Sequence, residues 1–111
     1  MEKQRQGRPA ASPQTGAQPR QAPRWHVVLL DDDQHTYDYV VEMLSELFHR
    51  DSQAAYQMAC EVDQTGRVIV ETTLLERAEF KRDQIHAYGR DWRLAACQGS
   101  MRATLERAPS E

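Results

Sequence analysis

Residues 26–38 read His-Val-Val-Leu-Leu-Asp-Asp-Asp-Gln-His-Thr-Tyr-Asp, four apolar residues running straight into three adjacent carboxylates. The apolar run, led in by Trp25, predicts a buried β-strand over Trp25–Leu30, closed by a polar cluster. Thr36 then supplies a cap for a helix, and Asp38 puts a negative charge in its first turn, where the helix dipole favours one. Three like charges at the end of a strand repel one another, and such a cluster awaits a cation: a metal, an ammonium group or a basic partner. Identifying that cation is the functional question.

Reading onward, Val40, Met43, Leu44, Leu47 and Phe48 recur at i, i+3, i+4, i+7 and i+8, the apolar stripe of a packed helix. Asp51 or Ser52 caps a second helix whose face of Ala54, Ala55, Met58, Ala59 and Val62 is small, which allows close helix approach or a pocket. Asp63-Gln-Thr-Gly66 reads as a turn, and Arg67–Thr72 as a strand with Val68 and Val70 opposite Ile69. Thr73-Leu-Leu-Glu76 has the form of a capping box opening a third helix to about Tyr88, with Gly89 as its terminator. Arg90–Gly99 is expected to form a loop or short helical turn around Trp92, Leu94 and Cys97. A last strand over Ser100–Glu106 turns Met101, Ala103 and Leu105 inward. The order β-α-α-β-α-β predicts a small α/β (α+β) sandwich, a three-stranded antiparallel sheet packed on three helices.

Length and charge bound the rest. The chain has 111 residues, enough for one domain. Met1–Arg24 carries five Lys/Arg against one Glu and no large apolar residue after Met1, so it is expected to be a disordered basic extension. It lacks the apolar core of a secretory signal. The domain is expected over 25–107, with a flexible C-terminus at 108–111. This remainder is acidic, and nine carboxylates stand against the single base Arg50 between Asp31 and Asp63. An acidic body argues against nucleic acid as a partner. No window is apolar enough for a membrane span. Cys60 and Cys97 match no zinc spacing and read as reduced, structural cysteines of a cytoplasmic protein. No Ser or Cys has a base at a recognisable spacing, so an enzyme is not expected, nor a cofactor.

Of two readings of the acidic cluster, the first fails on composition and the second is only weakly supported by it. A phosphorylated receiver domain requires an acceptor Asp at the end of a later strand, and Arg67-Val-Ile-Val-Glu-Thr72 supplies none, while Lys81 falls within a helix. A divalent-metal site would use Asp31, Asp33, His35 and Asp63. Hard-cation loops interleave carboxylates with Gly, which this stretch lacks, and His26, His35, His49 and His86 follow no zinc spacing.

A third reading comes from a resemblance. Leu29-Leu-Asp-Asp-Asp33 before a capped helix, Glu61-Val-Asp-x-x-Gly-Arg67 at the end of the second helix, and Glu76-Arg-Ala-Glu-Phe-Lys81 follow one another as in the Clp protease adaptor family, ClpS, over about residues 25 to 106. The resemblance implies a monomeric adaptor without catalytic activity. Such an adaptor binds the free N-terminal amine and bulky first side chain of N-degron proteins and docks on the N-terminal domain of a Clp ATPase. The awaited cation is then a protein's α-ammonium, mostly charged at neutral pH. By position, Asp31 and Asp32 fall on the family's Asn-Asp of the amine site and Asp63 on its His. Val40, Ala59, Val62 and Met101 fall on the apolar pocket wall, His35 on the Thr beside it and Tyr37 on the gating Met. Glu76 and Lys81 fall on the ATPase-docking face. The chain departs from the family pattern at Asp31, Asp63, Ala59 and His35-Thr36-Tyr37. An amine site with altered preference, a docking module without one, and a divalent-ion site all remain open at this point.

Overall fold

The structure, a computed structural model, describes residues 22–110. The basic extension expected over 1–24 lies almost wholly outside the described residues. Six elements follow in order: β1 (Arg24–Leu30), α1 (Tyr37–Phe48), α2 (Ser52–Thr65), β2 (Arg67–Leu74), α3 (Leu75–His86) and β3 (Arg102–Arg107). This is the predicted β-α-α-β-α-β order.

The apolar run of β1 makes it the central strand. The sheet order is β2-β1-β3 with both pairings antiparallel. Val27 and Leu29 pair with Leu105 and Ala103 of β3, and a register shift between Val27 and Val28 admits one extra residue on β2. Alternation puts Val27, Leu29, Val68, Val70 and Ala103 on one face. Against that face lie Tyr39, Val40, Met43, Leu44 and Phe48 of α1, Ala55, Ala59 and Val62 of α2, and Ala78 and Ile85 of α3, forming one core. Ile69 points the other way and is exposed.

The helix starts follow two side-chain caps. Thr36 Oγ1 accepts the Tyr39 N–H at 3.1 Å, and Asp51 Oδ1 accepts the Ala54 N–H at 2.8 Å. Each satisfies a backbone donor that has no partner within the helix. Gly66, at φ 89°, closes α2 in the left-handed conformation that glycine adopts without strain.

Four local expectations are corrected. The turn predicted at 63–66 is helical through Thr65, so Asp63 belongs to the last turns of α2 and only Gly66 lies outside. Thr73 does not cap α3. It pairs with Trp25 in the sheet, β2 runs on to Leu74, and α3 starts directly at Leu75 with no side-chain cap. The ladder requires extended backbone at Thr73, and pairing with β1 outweighs the local capping pattern. At its other end α3 stops at His86, and the left-handed Gly89 comes two residues beyond the Ala87 cap. The loop before β3 is organised only partly as expected: Cys97 is buried, but Trp92 is 72 % exposed, and Asp91, with no exposed surface, is sealed in its place.

Candidate functional site

The end of β1 and the end of α2 are tied together by one backbone bond, in which the Asp31 N–H donates to the Gly66 carbonyl at 3.0 Å. This bond brings the carboxylates that follow β1 beside Asp63. Between them lies an open cavity of about 230 Å³. Its acidic rim is Asp31, Asp32, Asp33 and Asp63. His35 and Tyr37 line it from the start of α1, and Val40, Ala59, Val62 and Met101 form its wall. Those last four are buried, three carried by α1 and α2, whereas Met101 lies just before β3, which starts at Arg102 and not at Ser100 as expected. All nine residues assigned by position to the amine site and pocket therefore line one cavity. Asp33 joins them, a residue that the sequence reading placed only in its metal alternative.

Repulsion within the rim is visible on Asp31. Burial first, then the charges of Asp63, Asp33 and Asp32, push its carboxyl above the usual carboxylate range. The other acids are partly answered. Asp32 Oδ1 accepts the Gln34 N–H at 2.9 Å and lies 2.6 Å from His35 Nδ1. The Tyr37 hydroxyl donates to Asp63 Oδ2 at 2.6 Å, and that bond, with burial and the Asp63 charge, pushes the phenol up to about 12. Tyr37 also packs against Tyr56, ring centroids 5.6 Å apart, so it spans from α1 to α2 across the cavity.

Chemically, the cavity joins an anionic rim to an apolar wall. That combination suits a ligand with a cationic head and an attached apolar or long side chain. Among the described residues no three His, Cys, Asp or Glu side chains are arranged to hold a metal ion. Cys60 and Cys97 are both free, and Cys97 is buried. No helix among the described residues is long and apolar enough to cross a membrane.

Glu76 and Lys81 lie away from the cavity, on α3. Glu76 is exposed. Lys81 is not the free charge the sequence suggests, being only 7 % exposed. Its ammonium donates to the Leu47 carbonyl and sits 5.3 Å from the Phe48 ring centroid, so it fastens α3 to the end of α1. Burial, and then Arg77, lowers its pKa.

A further residue escaped sequence reading altogether. The carboxylate of Asp91 accepts the Thr36 N–H and hydroxyl at 2.8 and 2.7 Å, and the Arg93 N–H and guanidinium at 3.0 and 3.2 Å. Burial pushes this carboxyl up, but those donors outweigh burial and hold it at about 2. It pins the loop before β3 to the start of α1. No local motif signals it, because the partners are 55 residues apart.

Comparison with known proteins adds the following. The family described as ATP-dependent Clp protease adaptor protein ClpS matches residues 20–94, which leaves Met101 and β3 beyond the match. An ATP-dependent Clp protease adapter protein ClpS of Nautilia profundicola is 33 % identical over 66 residues, 60 % of this chain and 68 % of that protein. The protein of the same description from Vibrio cholerae is 37 % identical over 67 residues, 60 % of this chain but 63 % of its own length. Among solved structures, Agrobacterium tumefaciens ClpS2 bound to L-phenylalaninamide superposes with a TM-score of 0.69 at 19 % identity, over 79 % of this chain and 100 % of that one. At that identity the likeness is one of fold.

Proposed function

The chain belongs to the ClpS family of ATP-dependent Clp protease adaptors, and from that membership we propose that it binds the free N-terminal amine and first side chain of N-degron proteins and delivers them to a Clp ATPase. In this reading it is an adaptor without catalytic activity. The observation that carries the proposal is the single cavity in which Asp31, Asp32 and Asp63 face the wall of Val40, Ala59, Val62 and Met101. An α-ammonium is a compact cation with three donors and an ordinary pKa near 8, so it meets the acidic rim charged. The side chain on the same carbon then falls toward the apolar wall. L-Phenylalaninamide, the compound bound to the Agrobacterium tumefaciens protein, has this form, a free amine beside a bulky apolar group.

Docking on the ATPase N-terminal domain is assigned to the α3 face. Exposed Glu76 supplies a charge for the partner, and Lys81 fixes the helix through Leu47. A docking module without amine binding is the second reading. What favours it is Tyr37, whose hydroxyl already occupies one oxygen of Asp63.

The two readings part on one titration. A short peptide with a free N-terminus and a bulky first residue is compared with its N-acetylated twin by fluorescence anisotropy. The amine reading expects at least about tenfold weaker binding of the acetylated peptide, since hydrogen bonds to charged groups contribute roughly 1.5–3 kcal/mol. It also expects Asp63→Ala to erode that difference and Asp63→His to keep it. Equal affinities of the two peptides would leave the docking reading standing.

A further inference from the structure

We propose that His35 is a positioning residue of the amine site, held from behind by the loop between α3 and β3 so that it aims the Asp32 carboxylate at the ligand's ammonium; this rests on the amine-binding reading above. Asp32 needs such support. It sits in the link between β1 and α1, outside the sheet's ladder, where nothing in the β pairing orients its side chain. What does orient it is local. Oδ1 takes the Gln34 N–H at 2.9 Å and lies 2.6 Å from His35 Nδ1, so both bonds fall on one oxygen of a carboxylate that lines the cavity.

His35 in turn is fixed on every side. Its side chain is only 2 % exposed, and its ring packs on that of Tyr39 with centroids 4.5 Å apart. Nε2 lies 2.7 Å from the Gly99 carbonyl and 3.4 Å from Cys97 Sγ. One ring nitrogen thus meets the Asp32 carboxylate and the other the Gly99 carbonyl, two oxygens on opposite sides of the ring. A glutamine at this position could reach one acceptor and not both.

Gly99 can serve as an anchor because its loop is a fastened unit. The Asp91 carboxylate clamps the Thr36 N–H and hydroxyl at one end. The Leu94 N–H donates to the Asp91 carbonyl, the Cys97 N–H to the Leu94 carbonyl, and the Asp91 N–H to Cys97 Sγ. At the other end the Gly89 N–H donates to Ser100 Oγ at 2.6 Å. The path from a buried acid to the cavity is thus continuous: Asp91, the loop, Gly99, His35, Asp32.

The test measures the ratio of affinities for the free-amine and N-acetylated peptides in the full chain and in His35→Gln, with Asp32→Ala as a reference. A packing defect weakens both peptides and leaves the ratio alone, whereas misaiming Asp32 penalises only the free amine. We expect the ratio to fall at least about fivefold in His35→Gln, toward its value in Asp32→Ala. A ratio that stays at the wild-type value in His35→Gln while collapsing in Asp32→Ala overturns the positioning role and spares the amine reading. A wild-type ratio near one overturns the amine reading and the positioning role together. Should His35→Gln not fold, histidine side-chain ¹H–¹⁵N spectra of the unmodified protein decide. The free-amine peptide should shift the His35 Nδ1 resonance and its acetylated twin should not. Bound free-amine peptide without such a shift overturns the proposal.

Discussion

Asp31 stands among three like charges, and its own carboxyl is raised by burial and by Asp63, Asp33 and Asp32. A raised acid means that the folded state disfavours the ionised form. Above that folded value the charge costs stability, and the cost vanishes as pH falls and the carboxyl protonates in both states. Asp31→Asn should therefore raise the melting temperature at pH 7 by a few degrees at most, with the gain shrinking toward pH 4. The same substitution restores the residue that the family carries at this position, so free-amine peptides should keep their preference over acetylated ones, as in Asp63→His. A melting temperature lower than wild type at pH 7 would contradict the repulsion. At this scale legibility followed distance along the chain. Asp31, Asp32 and Asp33 are contiguous and announce themselves. Asp91 does not, because its meaning depends on Thr36 across a long loop. Lys81 misled for a related reason: a lysine in a helix dense in charges of both signs reads as solvated, and only the packed structure shows its ammonium at the Leu47 carbonyl.

Among the elements, a continuous apolar run marked β1, periodicity marked α1, α2, β2 and β3, and flanking signals alone marked α3, and the errors fell where a long-range contact competed with a local signal. The stripe of α1 is buried at Val40, Met43, Leu44 and Phe48, as its spacing requires, although Tyr39 is buried as well. Thr73-Leu-Leu-Glu76 has a good capping pattern, yet pairing of Thr73 with Trp25 keeps it in the strand. The small face of α2 has a direct consequence for the cavity. Ala55, Ala59 and Val62 let the helix approach the core closely, and Ala59, 1 % exposed, forms part of the cavity wall. Ala59→Met adds three heavy atoms where the wall meets the cavity, and overpacking of a closed core would cost about 1–3 kcal/mol. Because the cavity is open on one side, the longer side chain should extend into it instead. Peptides starting with Trp or Phe should then lose affinity by about tenfold, and those starting with Leu by less. Titrating the three peptides against wild type and Ala59→Met checks this, and an equal loss across all three would mean that the substitution disturbs the fold.

At the scale of the whole molecule, two faces are separated by the core. The acidic cavity opens where β1 meets the end of α2, whereas α3 carries Glu76 and fastens to the opposite end of α1 through Lys81. If cargo and ATPase use these two faces, they can be occupied together, as delivery demands. Glu76 and Lys81 should then behave differently from each other. Glu76→Ala removes an exposed charge and should weaken ATPase binding with little change in melting temperature, since surface substitutions usually stay within about 0.5 kcal/mol. Lys81→Ala takes away a buried ammonium that satisfies the Leu47 carbonyl, so it should destabilise the fold by roughly 1–3 kcal/mol as well as weaken docking. Combining the two should abolish ATPase binding in a pull-down while peptide affinity, read by anisotropy on the same preparation, stays near wild type. Loss of peptide binding in Glu76→Ala alone would show that the faces are not independent, and the assignment of docking to α3 would have to be abandoned.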